Sequence, residues 1–231
     1  MQNTKQNRVT PKGELVADPS YGTFMGNRGI LHDAAGAIGH RRWRHRNWII
    51  CLTEFKGRKR PIMAPNSYTE LFFLDEATAL AAGHRPCAEC RYTDYVAYRG
   101  ALERAGGLAA SEHAATLDAE LHEQRAWPRL FRQRTWRADL SDLPDGTMIE
   151  DTGRCLLVAG PWLLEWSFQG YRIAAEKALF GARTVTVLTP KATVTALIGG
   201  YQPAVHRSAA DGEAGVGGTH PVFAKLVGQK Y

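Results

Sequence analysis

Two of the chain's four cysteines stand in 83-GHRPCAECR-91, as Cys87 and Cys90 with an arginine on either side. A Cys-x-x-Cys turn brings two sulfurs to one ion, with zinc–thiolate bonds of about 2.3 Å. Pro86 stiffens the approach to the first sulfur. The pair supplies half of a tetrahedral site, so the other ligands must come from elsewhere. Cys51, in the apolar run 48-WIICLTEF-55, is the candidate third ligand. Among His32, His40, His45 and His84, His32 ranks first as the fourth, because it ends the run GILHD, which can lie beside WIIC as a neighbouring strand. His84 is too near Cys87 in sequence to chelate comfortably. The expected site is therefore zinc held by Cys51, Cys87, Cys90 and His32. A redox dithiol is the first alternative, but such a pair follows a strand and opens a helix. Here a helix precedes the pair and no βαβ pattern surrounds it. Unligated structural cysteines are the second alternative. Cys155, in RCLLVAG, reads as a buried strand residue.

Other groups able to do chemistry are sparser. Asp118 and His122 are four apart and share a face of a helix, with Glu112 and His113 a turn or more earlier. A metal-dependent hydrolase could use such a set, although an exposed charged helix face explains it as well. His206 lies with Tyr201 and Ser208 in 200-GYQPAVHRSA-209, a loop by composition. Spacing alone builds no Ser-His-Asp or Cys-His arrangement.

Charge points to a partner. The chain of 231 residues carries a net charge of +6, and Arg28 to Arg60 holds nine Lys/Arg against two acids. The segment is thus about as positive as the whole chain, and the rest is near neutral. A solvated basic face explains this equally well, but charge clustered in this way, more than charge evenly spread, reads as a footprint for phosphate. The expected contacts are Arg41, Arg42, Arg44, Arg46, Lys56, Arg58, Lys59 and Arg60, to DNA more readily than RNA. Trp43 and Trp48 lie among them and can stack on bases or enter the core.

The elements that must position these groups follow from pattern. Residues 1–20 read as an extended lead-in, and strands are expected near 29–31, 48–55, 60–65 and 68–74. Asp75 is a natural N-cap for an Ala-rich helix that stops at Gly83. Helices follow over about 93–104 and from Ser111 to Pro128, then a basic connector over 129–142. From Leu143 the texture is β: TMIE, RCLLVA, WLLEW and TVTVL are separated by Asp-Gly, Thr-Gly and Gly-Pro turns. In 189-TPKATVTALIGG-200, Thr189 as cap and Pro190 at the first helical position predict a short helix. The tail from 209 reads as flexible. An apolar fraction of 44%, without an apolar run of membrane length or a signal-peptide core, points to a cytoplasmic protein with no membrane partner.

The run 72-FFLDEATALAAGHRPCAECR-91 resembles the zinc-binding domain of the Ada family of DNA-repair proteins, with Gly83, Arg85, Pro86, Cys87 and Cys90 in register. The resemblance covers about twenty residues, with an extension back to Cys51. It implies a zinc site completed by upstream cysteines, and a zinc-bound thiolate that takes a methyl group from DNA phosphotriesters. Cys51 matches the first upstream cysteine, but Phe55 stands where the second would be. The combined expectation is an α+β chain with an Ada-like zinc module carrying the basic segment at 1–92. A helical middle at 93–142, a small β-rich module at 143–208 and a flexible tail at 209–231 would follow. Its expected role is zinc-stabilised nucleic-acid binding related to DNA repair or processing. The alternatives are a nuclease or hydrolase using Asp118, His122 or His206, and a methyl acceptor at Cys51.

Overall fold

A computed structural model describes residues 4–58, 61–107, 113–128, 130–210 and 222–228. Six short strands form the first sheet: β1 (Gln6–Val9), β2 (Leu15–Ala17), β3 (Phe24–Asn27), β4 (Ile49–Leu52), β5 (Leu71–Phe73) and β6 (Arg85–Pro86), in the order β2-β1-β5-β3-β4-β6. Helix α1 (Glu76–Ala81) separates β5 from β6, and α2 (Tyr92–Arg104) and α3 (Ala114–Arg125) follow. A two-stranded hairpin, β7 (Ala126–Trp127) with β8 (Arg132–Gln133), leads to β9 (Trp136–Asp139). The second sheet comprises β9, β10 (Met148–Asp151), β11 (Arg154–Ala159), β12 (Trp162–Ser167), β13 (Gly170–Glu176) and β14 (Thr184–Val187), in the order β13-β12-β11-β10-β14-β9. Helix α4 (Lys191–Ile198) precedes β15 (Ala204–His206), which pairs in parallel with β16 (Lys225–Val227).

This arrangement corrects the expected α+β chain of three successive modules. Helix and strand are mixed along the sequence, and one core joins Val9 of β1, Leu80 of α1, Tyr98 of α2, Leu121 of α3 and Leu197 of α4. The β-rich part is a full six-stranded sheet, not a small module, and it draws its edge strand β9 from the stretch expected to be a connector. The lead-in at 1–20 supplies β1 and β2, which pair antiparallel. Trp136 to Asp139 alternates half-buried and exposed positions in β9, a pattern that its basic composition masks. The strand near 29–31 lies earlier, at β3, where Phe24 and Gly26 are buried. Residues 61–65 hold no strand. Helix α4 starts one residue later than expected, with Pro190 as its N-cap. The tail at 209–231 falls largely outside the described residues, although β16 within it is a strand.

Helix α1 bolts the two halves together. All six of its residues are buried. Ala79 and Leu80 face the first core, while Ala77 and Ala81 pack with Leu157 and Leu164 of the second sheet. Small side chains let it sit between two layers. Its buried acids are fully engaged: Asp75 accepts from the Thr78 and His206 backbone N–H groups at 2.8 and 2.9 Å, and Glu76 meets Arg91 at 2.9 Å. Burial raises the Asp75 carboxyl against these hydrogen bonds. Gly83 ends the turn at φ +86, and a Cβ there would lie 2.6 Å from Arg125 Cδ, so both conformation and space require glycine. Among the described residues no helix is long and apolar enough to cross a membrane.

Candidate metal centre and basic surface

Strand pairing gathers the cysteines. β4 and β6 run parallel with Ile50 opposite Pro86, so the next residues, Cys51 and Cys87, emerge side by side. The Cys87 N–H donates to Ile50 O at 2.9 Å and the Arg91 N–H to Cys87 O at 3.2 Å, closing the turn that returns Cys90. The sulfurs of Cys51, Cys87 and Cys90 all lie within 4.8 Å of one another. Tetrahedral zinc would need them about 3.8 Å apart, which that bound accommodates. The Glu89 N–H donates to Cys87 Sγ at 3.4 Å, as suits a thiolate. Hydrogen bonds from Cys51 and then Cys90 hold the Cys87 thiol far below its usual range, and the same bond to Cys87 holds Cys51 far above. The donor set fits a thiophilic ion, and three cysteines here can hold one. Among the described residues no fourth His, Cys or carboxylate joins the cluster.

His32, expected as the fourth ligand, does not join this cluster. Its Nδ1 lies 2.6 Å from Thr69 Oγ1 and its Nε2 3.3 Å from Ala64 O. GILHD does not pair with β4; β3 takes that place, with Met25 opposite Cys51.

The arginines that flank the cysteines are structural. Arg85 grips Asp118 through Nε and Nη2 at 2.8 and 2.6 Å, and this pair is buried. Arg91 bridges Glu76 and Asp94 at 2.9 and 2.8 Å. The knuckle is thereby tied to α3, α1 and α2. The catalytic candidates Asp118 and His122 both lie on α3, where Asp118 is occupied by Arg85 and His122 packs on the rings of Trp43 and Trp48. Burial, then Arg125 and Arg46, push His122 down to about 4. His206 Nδ1 contacts Ser208 Oγ at 2.8 Å, and Asp75 takes the His206 backbone N–H, not its ring. Cys155 is buried on β11 in the second core, where burial pushes its thiol up to about 11.

The basic segment divides at β4. Before the strand, Arg41, Arg44 and Arg46 are exposed and Arg42 is half-buried. Among the described residues no carboxylate pairs with any of the four. After it, Lys56 and Arg58 lie over the Phe55 ring, and Arg58 pairs with Glu89 at 2.5 Å. Lys59 and Arg60 lie outside the described residues. Phe55 is thus a platform for cations. Arg28, counted with the segment, is wholly buried, with its guanidinium carbon 4.2 Å from the centroid of Trp48; Arg125 stacks on the same ring at 4.3 Å. Burial pushes each arginine down to about 9, still cationic at neutral pH. Arg125 donates to Gly83 O and to Arg46 O, and Arg28 to Ala82 O at 3.3 Å. The loop before β4 is therefore fastened to the knuckle that carries the thiols. No motif in the sequence announces that fastening, because Arg28 and Arg125 are far apart along the chain.

No protein-family model matches the chain, and neither a curated protein nor a solved structure matches it, so the site stands on its own geometry.

Proposed function

We propose that this is a zinc-stabilised nucleic-acid-binding protein, with Cys51, Cys87 and Cys90 holding the ion and Arg41, Arg42, Arg44 and Arg46 meeting phosphates. The observation that carries this reading is the shared strand. β4 bears Cys51 near its end and receives the arginine loop at its start, and Trp48, fully packed, joins that loop to the knuckle through Arg28 and Arg125. Bound zinc would supply a fixed tetrahedral anchor; the chain's own residues then hold the loop in one shape. Unpaired guanidiniums on a rigid loop suit phosphate oxygens. The Ada-like register of residues 72–91 agrees with zinc as the ion and with DNA as the polymer, and a role in DNA repair or processing is the biological setting it suggests.

The test is oligonucleotide binding by the zinc-loaded protein across a salt series. Four phosphate contacts predict an affinity loss of about fiftyfold on a single strand, or about 150-fold on a duplex, between ~50 and ~200 mM salt. The R41Q/R44Q variant should lower the slope of log affinity against log salt by about 1.5. Affinity that does not change with salt would overturn the proposal.

A further inference from the structure

The hairpin of β7 and β8 lies beside the arginine loop although some eighty residues separate them in sequence. Phe131, in its turn, has its ring centroid 5.1 Å from that of Trp43 and 5.7 Å from that of His40. At its root, Arg125 immediately precedes β7 and donates to Arg46 O, so loop and hairpin are clamped at both ends. The hairpin turns outward what a soluble protein usually covers. Trp127 is 47% exposed and Leu130 63% exposed. Phe131 holds a positive φ of +47, a conformation that costs an aromatic residue energy and is kept where a tip must point a side chain. The hairpin is also basic: Arg132 is exposed, and Arg134 lies over the Trp127 ring at 3.8 Å. Among the described residues neither arginine has a carboxylate partner.

We infer that the loop and the hairpin together form a binding surface for an unpaired nucleic-acid strand, the hairpin stacking its bases while the loop holds its phosphates. This rests on the nucleic-acid reading above and narrows it. Charge complementarity selects a polyanion, and the exposed aromatic and apolar tip selects among polyanions. Phosphate contacts alone need no Trp127 or Leu130, whereas bases freed from a duplex offer flat apolar faces to stack. A two-stranded ribbon such as β7/β8 can also enter a major groove, so the duplex is the competitor that the experiment must separate. Arg134 over Trp127 pre-sets that ring at no cost to the strand when it arrives.

The experiment measures binding of the zinc-loaded protein to labelled single strands of deoxythymidine, single strands of uridine, and a duplex of equal length, with intrinsic tryptophan fluorescence read alongside. The two single strands distinguish DNA from RNA. Expected is at least tenfold preference for one or both single strands over the duplex, with tryptophan quenching. In W127A/L130A that preference should fall about tenfold while duplex binding changes less than twofold. Both side chains are exposed, so the variant should melt where the wild type does. L130S, a milder change at the same tip, provides a second reading if it does not. Duplex binding equal to single-strand binding, with tip variants silent and R41Q/R44Q still weakening both, would sink the hairpin proposal and leave the nucleic-acid reading standing. Absence of binding to all three would remove both.

Discussion

The two six-stranded sheets are built on different terms. In the second, every neighbouring pair is antiparallel, β11 and β12 have six residues each and β13 has seven. Leu157 and Leu164 fill one face while Leu156, Val158 and Leu163 fill the other. In the first, strands of two to four residues mix parallel and antiparallel pairing. Its margin is held by point contacts: the Arg85–Asp118 and Arg91–Glu76 pairs, two arginines on Trp48, and three thiols. Apolar area is non-directional and tolerates change, whereas ion pairs and metal ligands fix a shape and fail abruptly. The sheet that displays charge is the one pinned by point contacts.

Removing the proposed zinc should separate the sheets most. Structural zinc contributes apparent folding free energies of about 10–16 kcal/mol in small finger peptides, and here part of that should fall on β4, β6 and the arginine loop. Chelation, or C87S, should abolish bound zinc and speed amide hydrogen exchange across 44–52 and 85–91 by orders of magnitude. Exchange in β11 and β12 should change little. Equal loss of protection in both sheets would break the distinction.

Two smaller changes sharpen it. D118N leaves the buried Arg85 cation without its two-point carboxylate and should cost about 3–5 kcal/mol. L157A opens a cavity in the second sheet and should cost about 2–5 kcal/mol. Their stabilities can coincide, but their zinc retention should not. Competition with a chromophoric chelator should show weaker zinc binding in D118N and wild-type binding in L157A. Weakened zinc in both variants would mean that the sheets act as one unit.

The same contrast explains what the sequence revealed. β10, β11 and β12 were legible because their apolar runs are bounded by Asp-Gly, Thr-Gly and Gly-Pro turns, and β14 because of its Thr/Val alternation; local chemistry decides them. Asp75, Gly83 and the helix between them were legible for the same reason, and the turn supplied Cys87 and Cys90 as a pair. Cys51 was reached because it sits in an unmistakable strand. His32 failed because its assignment needed strand order, and β3 takes the position beside β4 that GILHD was expected to fill. β1 and β2 are four and three residues long and pair with each other across a Pro-Lys-Gly turn that reads as a lead-in, while two-residue β6 owes its existence to β4, far back along the chain. The burial of Arg28 and Arg125 was equally hidden, since arginine in a basic run reads as surface until the tryptophan beneath it is placed.

The smallest expected effect probes that hidden cluster. His84 is wholly buried, and its Nε2 accepts from Arg28 Nε at 3.3 Å, so its ring proton is on Nδ1 and the ring is neutral. Burial, then Arg28 and Arg125, push its pKa well below the 6.5 of a free imidazole. The unfolded ring takes up a proton near pH 6.5 while the folded ring does not. Folding stability is therefore fully present above that pH and falls as the pH drops below it, by at most about 1.4 kcal/mol per pH unit for this one group. His122, set at about 4, adds in the same direction. Melting temperatures between pH 7 and 5 should decline for the wild type and decline less for H84Q, with chelator present throughout so that acid release of metal contributes to neither. Exchange at pH 5 should rise in β4 before β11, because only the first sheet rests on a histidine that must stay neutral between two arginines. Identical pH slopes for H84Q and wild type would show that the His84 imidazole does not set the acid limit of the cluster.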